Sequence, residues 1–218
     1  MFRNVRFAHS VQVLVFSLQK DLNQSVSDLQ GKLEESEWCS YRLGVAHVLS
    51  SLFEGFTANI LLLHPRLESY QNRESVEKII RMYKWPLDNI LQRILKDKAC
   101  SSHFPQSFYH HASDAGFEIS DYEVAVAIET LMFFIRRTLF DSLDFLCEFI
   151  TYKEWRAYCK AATCVVNEIN MQISIPLYKM FPELIHQLTT SFYPDLLVCH
   201  RWPEDNILQR VIMNIDDE

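Results

Sequence analysis

The decapeptide KWPLDNILQR, Lys84 to Arg93, recurs as RWPEDNILQR, Arg201 to Arg210, with eight of ten letters unchanged and the two tryptophans 117 positions apart. The register extends well beyond the decapeptide. EWCSY at Glu37 to Tyr41 faces EWRAY at Glu154 to Tyr158 with the same offset of 117, and Leu14/Leu131, Phe16/Phe133, Leu22/Leu139, Ser25/Ser142, Leu29/Leu146 and Pro65/Pro182 follow it. No insertion separates these matches, and all four tryptophans belong to matched pairs. Self-similarity at one fixed offset is the mark of repeated supersecondary units, and a period this long makes each unit a small domain or half-domain.

Each unit reads as helices. From His9 to Leu33 the apolar residues Val11, Leu14, Val15, Leu18, Leu22, Val26, Leu29 and Leu33 recur at three and four, the period of one helical face. A central helix is expected from a Ser36 N-cap to a stop at Pro65, then a weaker helix near Glu74, then one opening with Pro86 in its first turn. The second unit repeats the plan over Tyr122–Ile150, Lys153–Met180 with a kink at Pro176, a short segment at Glu183–Ser191, and Pro203–Ile215. The chain is therefore expected to be all-α, two tandem four-helix repeats over residues 1–97 and 121–218, joined by a linker over 98–120 and packed as a pseudo-twofold globule. Four glycines and seven prolines in 218 residues, with 49% apolar residues, fit long helices better than turn-rich β structure.

In the repeated motif, Trp85 and Trp202 are expected to staple the helix start, and Asp88 and Asp205 to meet its dipole. Ile90, Leu91 and Ile94, with Ile207, Leu208 and Val211, form the buried stripe. Burial does not require the polar letters to agree. Asn89, Gln92 and Arg93, with Asn206, Gln209 and Arg210, either bond helix ends and the neighbouring copy or, together with the two tryptophans, form a duplicated partner-binding surface.

Signals for catalysis are confined to one unit. Arg42 and His47 have the R-x4-H spacing and so resemble the nuclease motif of HEPN domains, where Arg would steady phosphate charge and His would handle a proton. The second unit has Cys159 and Cys164 there, and His47 is expected to be a packed core histidine. Glu183 and His186 share the i, i+3 spacing of di-iron bundles but lack the further carboxylates such sites need. His103, His110 and His111 lie in the linker without ligand spacing, and Arg136–Arg137 reads as a solvated face.

Six cysteines at irregular spacings predict reduced, mostly buried thiols, and no cofactor is implied. The net charge of -7 argues against general nucleic-acid binding. Neither a signal peptide nor a membrane span is expected, which predicts a soluble intracellular protein, cytoplasmic or nuclear. The favoured function is a non-enzymatic interaction module, an adaptor or inhibitor that holds a protein partner by helix faces or a groove between the copies. A homodimer is compatible with this reading. The alternatives are the HEPN-like ribonuclease and a helical pocket for an apolar ligand.

Overall fold

A computed structural model describes residues 2–70, 73–96 and 121–214, and among them there is no strand. The expected linker at 98–120, with its three histidines, lies outside the described residues.

Helix α1 (Val5–Leu29) starts where the Asn4 side chain accepts the Arg6 amide at 2.9 Å, and it ends before Gly31, whose φ of 77° suits a residue without Cβ. Helix α6 (Tyr122–Leu146) is equally long, and its cap is Asp121, which accepts from the Glu123 amide at 2.8 Å. Both are core helices. Leu14, Leu18 and Leu22 of α1, like Leu131, Ile135 and Leu139 of α6, are fully buried, each stabilising the fold by roughly 1.5–3 kcal/mol.

Helix α2 (Glu35–Leu52) runs without a break through a π-turn (Phe53–Thr57) into α3 (Ala58–Leu63). Helix α7 (Tyr152–Ile169) continues likewise through a π-turn (Asn170–Ser174) into α8 (Ile175–Met180). The Ser36 cap is a correction. The cap is Glu34, two residues earlier, because Glu37 reaches back to the Glu34 amide at 2.9 Å, as Glu154 reaches the Thr151 amide at 3.0 Å before α7. Pro176 falls at the first turn of α8, just beyond the π-turn.

After α3 come a 3-10 turn (Pro65–Tyr70), α4 (Arg73–Met82) and α5 (Ile90–Lys96); after α8 come α9 (Glu183–Gln187), α10 (Phe192–Cys199) and α11 (Ile207–Asn214). The last helix of each set opens at Ile90 or Ile207, four residues after the proline expected to start it. The proline instead follows the tryptophan into a bend.

Packing crosses between the two parts of the chain. Helix α2 lies along α7, α5 chiefly against α6, and α11 chiefly against α1. Each π-turn lies close to the opposite long helix: a Cβ on Gly44 of α2 would meet Gln172 O at 3.0 Å, and one on Gly55 would meet the Ala161 Cβ of α7 at 3.2 Å. Within each part, a buried hydroxyl pair joins the first two long helices, Ser25 to Tyr41 at 2.7 Å and Ser142 to Tyr158 at 2.5 Å.

Candidate functional site

The repeated decapeptide is built by two consecutive caps. Lys84 and Arg201 take left-handed backbone angles, φ 53° and 52°, and the amides of Trp85 and Trp202 bond back to Ile80 O and Leu197 O at 3.0 and 2.8 Å. This six-to-one bond closes α4 and α10 as a Schellman turn, so each tryptophan finishes the preceding helix and does not staple the next. A side chain in the left-handed region costs about 1–2 kcal/mol. Further on, Asn89 Oδ1 accepts the Gln92 amide at 2.7 Å and Asn206 Oδ1 the Gln209 amide at 3.0 Å, so the shared asparagines are N-caps. Gln209 returns a bond to the Asn206 amide at 3.2 Å, whereas Gln92 turns toward Asp28 and Gln24.

The arginines reach across the chain. Arg93 grips Asp88 through Nε and Nη2 at 2.7 and 2.9 Å and donates Nη1 to His200 O and Arg201 O, both at 2.9 Å. Arg210 grips Asp205 at 2.6 and 2.7 Å and donates Nη1 to Tyr83 O at 3.2 Å and Lys84 O at 2.7 Å. The left-handed residues aim these carbonyls at the opposite arginine. The guanidinium of Arg93 stands 4.9 Å over the Trp202 ring, and that of Arg210 stands 5.1 Å over Trp85. The two indoles meet edge to face at 6.4 Å, with Phe134 against both.

The eight residues expected to bind a partner thus engage this chain. Trp85, Asn89, Trp202 and Asn206 are buried, at 3%, 0%, 4% and 3% exposure, and a partner could reach none of them without displacing the packing.

The other sequence candidates fall apart in space. Arg42 and His47 are both exposed on α2, with Arg42 lying over Trp38 at 4.9 Å, so His47 is not the core residue expected. Five helical positions separate them by about 140° around the axis. His186 is exposed on α9 while Glu183 is half-buried, and no group of three His, Cys, Asp or Glu side chains among the described residues could hold a metal. The cysteines also depart from expectation: Cys39, Cys147, Cys164 and Cys199 are exposed and Cys159 is half-buried. Their helix positions face outward at places where the core is filled by Leu, Val and Tyr.

Arg136 is another correction. It is not solvated but 11% exposed, paired with the fully buried Glu129, and it donates to Ser174 Oγ at 2.8 Å and Asn170 Oδ1 at 3.3 Å. Glu129 also accepts from Ser174 at 2.7 Å and from the Tyr178 hydroxyl at 2.6 Å. Burial opposes the charge of Arg136, but Glu129 beside it more than restores it, and the Arg136 pKa rises. Burial and the same carboxylate push the Tyr178 phenol up. The π-turn supplies Asn170 and Ser174, so this wide turn is what admits the charged pair.

One helix, Glu35–Leu63, is long and apolar enough to cross a membrane by length and composition alone. Its outward positions include Arg42, His47 and Glu54, and Arg or Glu is costly in hydrocarbon.

Clefts open on the surface of the described residues. One of about 560 Å³ runs beside α1 between Lys20, Gln24, Glu77 and Leu87, and one of about 380 Å³ lies between α7 and the first π-turn, by Glu54, Lys160 and Cys164. Both walls mix amides, small residues and single charges, with no convergent catalytic set.

The exposed surface that sequence reasoning missed lies where α6 turns into α7. Phe149 is 46% and Tyr152 73% exposed. Phe149 packs on Phe145 at 5.1 Å and on Phe7 of α1 at 6.1 Å, while Tyr152 stacks on Trp155 at 6.1 Å. At the positions 117 residues earlier, Phe145, Phe149 and Tyr152 correspond to Asp28, Lys32 and Glu35. The signal was available in the sequence as a disagreement in the register.

No protein-family model matches the chain, and neither does any curated protein or solved structure.

Proposed function

We propose that the chain is an internal duplication, two helical copies packed about a pseudo-twofold axis, and that it works as a non-enzymatic protein-interaction module. Support for duplication comes from element bounds and from contacts. The pairs α1/α6, α2/α7, α3/α8 and α5/α11 each begin 117 residues apart, as do the two π-turns. Across the axis the contacts are reciprocal: Arg93 bonds the carbonyls of residues 200 and 201, and Arg210 those of 83 and 84. Gly44 faces Gln172 while Gly55, the counterpart of Gln172, faces Ala161, the counterpart of Gly44. Patch i on patch j and j on i is the rule of an isologous dimer interface, here held within one chain. The decapeptide is the clasp of that interface.

The observation that carries the interaction reading is the aromatic corner. One copy closes the turn between its first two long helices with Asp28, Lys32 and Glu35, so the fold does not need aromatics there. The other copy has Phe145, Phe149 and Tyr152, with Phe149 and Tyr152 in solvent. Contiguous exposed aromatics mark contact surfaces, and Tyr, Trp and Phe are enriched at interface centres. Selection for binding explains a corner that folding leaves free.

The test exploits the duplication. Phe149→Lys with Tyr152→Glu installs the residues that the first copy carries at the same places. The doubly substituted protein is expected to keep its helical circular dichroism and unfolding midpoint while losing its protein partner in quantitative capture from the source cell. Full partner recovery with the variant would refute the reading.

A further inference from the structure

Resting on the interaction reading, we infer that the aromatic corner is a docking site for an acidic amphipathic segment of a partner protein, one that presents apolar side chains flanked by Asp or Glu. The charge around the corner decides the chemistry. Arg3 and Arg6 lie at the start of α1, beside Phe7, and Lys153 and Arg156 flank Tyr152 and Trp155 on the first turns of α7; all four cations are exposed. The Arg3 amide bonds Glu154 at 2.8 Å, which holds the start of α1 against the first turn of α7, the turn that Lys153 and Arg156 flank. Glu154 is engaged by the Arg3 and Thr151 amides and the Thr151 hydroxyl, while the exposed Asp144 and Glu148 lie on the α6 side of the turn.

This basic rim belongs to a chain whose net charge is -7. It is also specific to one copy: the counterparts of Arg6, Lys153 and Arg156 are Glu123, Ser36 and Cys39, and the equivalent corner adds Asp28, Glu34 and Glu35. Phe149, Tyr152 and the cations at 6, 153 and 156 occur together at one corner, where the other has Lys32, Glu35, Glu123, Ser36 and Cys39. Such joint substitution fits a ligand that is apolar and anionic at once, with rim charges steering it and the rings anchoring it. A long polyanion or an anionic bilayer would extend beyond the patch onto the surface of a chain whose net charge is -7. A short acidic helix or strand covers only the corner.

The experiment uses the full chain and two synthetic amphipathic peptides of about four helical turns, with Leu on one face and either Glu or Lys on the other. Binding is read by fluorescence anisotropy. The Glu peptide is expected to bind at least about tenfold more tightly than the Lys peptide at about 0.05 M salt, with the advantage shrinking at about 0.5 M. Arg6→Glu with Arg156→Glu should abolish that preference, and Phe149→Lys with Tyr152→Glu should abolish binding, while helicity is unchanged. Equal affinity for both peptides, tighter binding of the Lys peptide, or no binding of either overturns the inference. So does binding of phosphatidylserine vesicles or polyuridylate that is lost with Arg6→Glu and Arg156→Glu. A cellular partner that needs Phe149 and Tyr152 but not the four cations would leave the interaction reading standing and remove only the acidic segment.

Discussion

Replacing Arg210 by alanine removes a guanidinium that makes four bonds and one ring contact, and its cost can be worked from them. The pair with Asp205 is partly solvated, the side chains being 25% and 40% exposed, so it contributes at most about 1 kcal/mol. The donations to Tyr83 O and Lys84 O hold two backbone carbonyls that a left-handed residue has turned toward the arginine; losing both costs about 1–2 kcal/mol. The stack on Trp85 adds about 0.5–1 kcal/mol. The sum is about 3 kcal/mol, a large part of the roughly 5–15 kcal/mol that holds a folded chain. Arg93→Ala removes the same set of bonds at the opposite site and should cost the same to within about 1 kcal/mol. In the double variant the shared indole pair is already loosened, so the combined loss should fall short of the sum by about 1 kcal/mol. Urea unfolding followed by far-ultraviolet circular dichroism measures all three. A silent Arg93→Ala beside a costly Arg210→Ala would refute the reciprocal clasp.

Three further outcomes are expected. Burial raises the carboxyl of Asp21 to about 6, against the help of Lys20 and with Asp88 nearby. The raised folded value means the protonated form is favoured in the fold, so roughly 3 kcal/mol of stability should be lost as pH rises from about 4 to about 6, and Asp21→Asn should flatten that fall in a series of urea midpoints. Gly44→Ala places a methyl 3.0 Å from Gln172 O and 3.2 Å from Ile173 Cγ1, and should lower stability by about 1–3 kcal/mol in the same assay. Glu129→Gln leaves Arg136 buried without its counter-charge and should cost about 3–5 kcal/mol, whereas Glu129→Leu with Arg136→Met should recover much of the loss in thermal unfolding.

Periodicity made the long helices legible, because Leu14, Leu18 and Leu22 bury one stripe whatever surrounds them. It misplaced the starts of the helices that open at Ile90 and Ile207. Proline favours a first turn, but here the chain needed Lys84 and Arg201 left-handed to close the previous helix, and Asn89 and Asn206 then supplied the caps five residues later. The shared Asn and Arg could be singled out by their letters alone, yet what Arg93 touches lies 107 and 108 residues away, and one chain read linearly carries no record of that contact. Arg136 looked like a surface charge because its carboxylate partner, Glu129, sits seven positions back, off the usual i, i+4 pairing. The aromatic corner was readable from the 117-residue register, at positions where its matched residues differ.

The most direct measurement is a paired capture from the source cell, wild-type chain against the Phe149→Lys, Tyr152→Glu variant, with partners quantified by mass spectrometry and both proteins shown to unfold at the same urea concentration. The account predicts that a partner bound by the wild type is lost from the variant at least about tenfold, which is about 1.4 kcal/mol of binding. Equal recovery of every partner by the two proteins would contradict it.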